Sequence, residues 1–132
     1  DSDIKKFAQN KPVMGTCAGL IILAKTLKNP PMKTLQLLDV EVTRNAYGRQ
    51  VDSFIDDVKI MIDDNKPDFE GIFIRAPKID KVGEGINPIG YLGDDVVMAE
   101  NKLFLVATFH PELSNDTRIH EYFVNKAKKL SK

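Results

Sequence analysis

The sequence predicts an α/β domain, and three observations carry that expectation. A short apolar run ending in small residues (12–16, PVMGT) leads directly into a long stretch of helix formers (18–27, AGLIILAKTL). Several alternating or apolar runs fill the middle of the chain. The chain then closes on apolar residues at helical spacing. Taken in order, Ile4, Phe7 and Ala8 have the spacing of a helix tail, and residues 12–16 read as a buried strand. Residues 18–27 read as a helix that Asn29-Pro30-Pro31 stops. Residues 36–43 and 53–62 alternate in part and read as strands, with a turn over 45–49 in which Gly48 takes the unusual backbone position. Residues 69–75 (FEGIFIR) form another strand, closed by Pro77. Tyr91 and the run 96–99 precede a second apolar run, 103–108, and the short link Glu100-Asn101-Lys102 predicts a hairpin. Over 117–130, Ile119, Phe123, Ala127 and Leu130 share one face and lysines the other, an amphipathic helix that Asn115 or Asp116 can cap. A parallel sheet needs crossover units on both faces, and only one strand–turn–helix unit is clear. The pattern therefore implies a domain that starts before residue 1.

The length of 132 residues suits one domain over 1–132. Apolar residues at 42% and charged residues at 29% are ordinary globular usage. Lys and Arg number 19, as do Asp and Glu, so the charge balance gives no reason to expect nucleic acid or a membrane as partner. No stretch approaches the roughly 20 apolar residues a bilayer crossing needs, and the opening DSDIKKFAQN lacks the apolar run of a secretory signal. A single cysteine, Cys17, forms no internal disulfide, and nothing points to an oxidising compartment. A cytoplasmic location is the expectation.

A lone cysteine is by default a buried small hydrophobe. The setting of Cys17 argues otherwise. Gly15-Thr16-Cys17-Ala18-Gly19 follows a strand and opens a helix, the pattern of a nucleophile elbow. The turn forces the nucleophile into a strained backbone region, and flanking glycines avoid clashes. The positive end of the helix should lower the thiol pKa, and its first free N–H groups, notably that of Ala18, can hold an oxyanion. Phe109-His110-Pro111-Glu112 follows the apolar run 103–108, so it lies at the carboxyl end of a strand, the edge where open α/β sheets place their sites. His110 can take the thiol proton on one ring nitrogen while Glu112 holds the other. His120 lies within the last helix and is given no role. No cluster has metal-ligand spacing. Arg44 and Arg49 flank RNAYGRQ, and Arg75 ends FEGIFIR; each alone is an ordinary surface group, but together at strand ends they suit an amino-acid carboxylate.

PVMGTCAGLIILAK, VTRNAYGRQVDSF, GIFIRAP and ATFHPEL together resemble the glutaminase subunits of pyridoxal 5′-phosphate synthase, a branch of the class I (triad) glutamine amidotransferases. GTCAGL and FHPE are shared in outline by many amidotransferases, whereas RNAYGRQVDSF and FIRAP are particular to the vitamin B6 branch. The resemblance implies a flavodoxin-like, Rossmann-type three-layer sandwich. It implies Cys17 as nucleophile, His110 as general base and acid, and Glu112 as the group orienting the imidazole. Arg44 would contact glutamine, and Ile74 and Arg75 would line the substrate site. It further implies L-glutamine as substrate, no cofactor for its hydrolysis, and a hetero-oligomer in which ammonia passes to a barrel-type synthase subunit. Family members begin with a β-α-β stretch carrying a Gly-Gly-Glu-Ser loop that supplies the other oxyanion donor, and this sequence has no matching segment, so an N-terminally incomplete domain is expected. The alternatives are an amidotransferase subunit of another pathway and a shortened, non-catalytic synthase-binding module.

Overall fold

In the computed structural model, residues 12–28, 34–44, 53–62 and 65–130 are described. The expected strand–turn–helix unit is present as β1 (Val13–Thr16) and α1 (Ala18–Leu23). The helix is shorter than the sequence predicts. After Leu23 the backbone turns extended at Ala24 (φ −61°, ψ 147°) and continues as β2 (Ala24–Lys28), which pairs in parallel with β3 (Leu38–Thr43). Ala24 and Leu27 are buried and Lys25 and Thr26 exposed. Helix preference amounts to about 0.7 kcal/mol per residue or less among such residues, which ladder bonds to β3 and burial of Leu27 outweigh.

The remaining elements are β4 (Ser53–Ile60), β5 (Asp68–Ile74), β6 (Lys78–Val82), β7 (Asn87–Leu92), β8 (Asp95–Glu100), β9 (Phe104–Ala107), a 3-10 turn (Pro111–Leu113) and α2 (Arg118–Leu130). The expected strands over 53–62 and 69–75 and the hairpin at Glu100-Asn101-Lys102 match β4, β5 and the β8–β9 turn. Asn101 Oδ1 closes that turn by accepting the N–H groups of Leu103 (3.0 Å) and Phe104 (2.8 Å). Asp116, not Asn115, closes the start of α2: its Oδ1 accepts the Arg118 N–H at 3.0 Å. The strands β6 and β7 go beyond the sequence expectation. One reads KIDKV and the other NPIGYL, charged in the first case and carrying Pro and Gly in the second, which hides a strand pattern. The expected helix tail over 3–9, the stop at 29–31 and the turn over 45–49 lie outside the described residues.

Six strands form a mixed sheet in the order β1-β9-β8-β7-β4-β5, and three form a smaller sheet, β2-β3-β6. Among the described residues, β1 and β9 are the only neighbours in the larger sheet that run parallel. All four residues of β9 are buried, and they serve two cores in alternation. Phe104 and Val106 pack with Leu20, Leu23, Val40, Val42 and Ile79, on the side of α1 and the smaller sheet. Leu105 and Ala107 pack with Phe69, Phe73, Met98, Phe109 and Ile119, on the side of α2. A strand buried on both faces reads as an unbroken apolar run, which is how 103–108 looks in the sequence. The result is an α/β arrangement of three layers, with β9 in the middle layer beside the edge strand β1.

Candidate active site

Parallel pairing of β1 with β9 sets the site. Thr16 lies opposite Ala107, and the Cys17 N–H donates to the Ala107 carbonyl at 3.0 Å. The chain leaving β1 and the chain leaving β9 therefore emerge side by side at one end of the sheet. At Cys17 the backbone takes φ 48° and ψ −100°, a left-handed geometry that costs a non-glycine residue about 1–3 kcal/mol. Gly15 makes the sharp turn possible: a Cβ there would lie 3.0 Å from both the Gly19 backbone and a methyl of Leu23. Gly19 has open space where its own Cβ would stand, so the tight packing constrains Gly15 and not Gly19.

The Ile21 N–H donates to the Cys17 carbonyl as the first helical bond, at 3.0 Å. The N–H groups of Ala18, Gly19 and Leu20 thus have no acceptor within the helix, and that of Ala18 lies next to the sulfur. Cys17 is 8% exposed as a residue, and its thiol donates to the Thr108 carbonyl at 3.1 Å. Burial, and after it the charge of Glu112, push the Cys17 thiol up to about 12. This corrects the expectation that the helix start lowers it. With six residues α1 aligns few peptide dipoles, and the desolvation of a buried thiolate outweighs them.

His110 is held from both sides. Phe109 before it is fully buried, its ring 5.5 Å from that of Phe73 and 5.8 Å from that of Phe69. The His110 N–H donates to the Ile72 carbonyl of β5 at 2.8 Å. That bond ties the loop after β9 to the far edge strand, and so brings the end of β5 to the same place. The His110 Nδ1 lies 2.9 Å from Glu112 Oε2 across the 3-10 turn begun by Pro111. With Nδ1 engaged, Nε2 is the nitrogen left to exchange protons.

Cys17, Ala18, Arg44, Ile74, Arg75 and His110 line one cleft of about 390 Å³. Arg44 follows β3 and Arg75 follows β5 with φ 45°. Every residue the sequence proposes for the site is at this cleft or, for Glu112, bonded to His110 at its wall, except Arg49, which lies outside the described residues. Thr16, Ile21 and Pro77 line the cleft too, beyond the sequence expectation. Ile21, one helical turn after Cys17, carries a usable spacing signal. The carbonyls of Thr108 and Ile72 carry none, since a backbone acceptor leaves no mark in the sequence. Among the described residues no group of three His, Cys, Asp or Glu side chains could hold a metal ion.

A cysteine at a strained elbow, a helix start whose first N–H groups have no acceptor within the helix, and an oriented imidazole are the groups that acyl transfer through a thioester calls for. Residues 2–129 match the profile of the SNO glutamine amidotransferase family. The chain belongs to that family. It is 54% identical over 127 residues to pyridoxal 5′-phosphate synthase subunit PdxT of Pyrococcus horikoshii, covering 93% of this chain and 64% of that one. It is 48% identical over 128 residues to the protein of the same description from Fervidobacterium nodosum, covering 97% and 66%. The chain thus spans a little under two thirds of the length of these relatives. A crystal structure described as glutamine amidotransferase superposes with a TM-score of 0.86 at 38% identity, over 96% of this chain and 67% of that one.

Proposed function

We propose that this chain carries the glutaminase centre of a pyridoxal 5′-phosphate synthase, hydrolysing L-glutamine to glutamate and ammonia for a synthase partner. The observation that carries the reading is that Cys17, at its strained elbow, and the Glu112-held imidazole of His110 line the same cleft as Arg44 and Arg75. The similarity to two PdxT chains supports the pathway and the synthase partner.

In this mechanism the arginines receive the α-carboxylate of glutamine, and Ile74 packs along its stem. His110 Nε2 takes the thiol proton, and the sulfur attacks the side-chain carboxamide. The Ala18 N–H donates to the oxyanion. The imidazolium then gives its proton to the leaving nitrogen, releasing ammonia and leaving a thioester. His110 next deprotonates a water, which hydrolyses the thioester to glutamate. Glu112 keeps Nδ1 protonated and stabilises the ring whenever it is charged. A thiol pushed up to about 12 is not a thiolate at neutral pH, so the base is needed for attack. Glutamate release, measured on the full-length protein with the barrel-type synthase supplied, tests this. Cys17→Ala should abolish it, and release at the parent rate would remove the reading.

A further inference from the structure

The same sulfur that must meet His110 is, in this structure, engaged elsewhere. Cys17 Sγ donates to the Thr108 carbonyl at 3.1 Å, deep in the wall of the cleft. The Thr108 N–H in turn donates to the Val97 carbonyl of β8 at 2.9 Å, which fixes the peptide plane before it. The register of β1 on β9 places Cys17 beside Thr108, so the acceptor is built into the sheet.

We propose that the Thr108 carbonyl is a resting position for the nucleophile, in which the free chain keeps Cys17 as a hydrogen-bonded thiol, and that turnover requires the sulfur to move from this carbonyl to His110 Nε2. The inference rests on the reading of Cys17 as the nucleophile. In the activating step the S–H bond breaks, an N–H bond forms on His110, and the carbonyl is released. The charged groups around the step are Glu112, which faces the thiol and favours its neutral form, and Arg44 and Arg75, which line the same cleft. A thiol held this way has about 10³-fold less thiolate at neutral pH than an ordinary cysteine, given a rise from 9.0 to about 12. The free chain would therefore be protected from alkylation and oxidation until substrate draws the sulfur across.

Infrared difference spectra of the whole chain, taken against Cys17→Ala, test this by the S–H stretching band of the single cysteine. The expected result is one hydrogen-bonded S–H band at neutral pH, constant from pH 6 to pH 9 and unaltered by His110→Ala. Absence of the band in the parent protein, with its appearance in His110→Ala, would mean a thiolate–imidazolium pair at rest and would overturn the proposal. Thr108→Val keeps the carbonyl and removes the hydroxyl, so the band should hold its frequency; a shift would assign the acceptor to the hydroxyl and also overturn it. If the band behaves as expected but full-length protein with synthase releases no glutamate, the glutaminase reading fails while the resting thiol stands.

Discussion

The two ends of β9 are built to opposite principles. At its start, side chains and backbone are closely partnered. Asn101 Oδ1 takes two backbone N–H groups, Glu100 accepts from the Tyr122 hydroxyl at 2.5 Å and from Lys126 at 3.2 Å, and Lys126 also reaches the Asn101 carbonyl at 2.5 Å. This network clamps α2 onto the β8–β9 turn. At the other end the geometry is tense. Cys17 and Arg75 sit at positive φ, a buried thiol rests on a carbonyl, and the buried Thr108 hydroxyl has no partner among the described residues. Satisfied networks hold a fold together, whereas strain and unspent polar capacity collect where chemistry is done. One strand thus joins an anchor to the proposed reaction centre.

Substitutions that separate activity from stability sharpen the contrast. Cys17→Ala at the tense end should remove glutamate release altogether while thermal unfolding shifts little; an unfolded variant would show that end to be an anchor too. Glu112→Gln should reduce the rate by roughly 10²-fold, the lower range of what general acid–base catalysis contributes, with circular dichroism unchanged. Tyr122→Phe should do the reverse, leaving the rate alone and lowering stability by about 1–2 kcal/mol in urea unfolding. Burial, and then Glu100, hold the phenol pKa above its ordinary value, so this contribution is full below about pH 10 and fades as the pH rises further.

Asp116→Asn should have a smaller effect, about 1 kcal/mol, confined to stability. The hydrogen bond from Arg118 lowers the Asp116 pKa, so its contribution is present above about pH 4 and disappears as acid protonates the folded carboxyl. The difference between parent and variant should therefore vanish in acid unfolding curves.

Much of this site is legible in the sequence because its chemistry is local. Gly15 and Gly19 bracket Cys17, and His110 and Glu112 are two residues apart, so a turn and a short loop suffice to define each half. Arg44 and Arg75 are faintly legible as arginines at strand ends suited to a carboxylate, whereas Ile74 is legible only through likeness to a family. Helix α1 looks longer in the sequence than it is because Ala24, Lys25 and Leu27 favour a helix until β3 offers them a ladder. The strands β6 and β7 are hidden because edge position and Pro88 erase the alternation that betrays a strand.

By itself, the sequence determined the local pieces: an elbow at Cys17, a His-Pro-Glu loop, an apolar strand before it and an amphipathic helix after it. Tertiary structure decided how they meet. The parallel register of β1 on β9 sets the thiol beside Thr108, and the bond from His110 to Ile72 brings Arg75 to the same cleft. It also decided the protonation of the thiol, because that depends on how completely the surrounding layers exclude water, and no stretch of sequence encodes this alone.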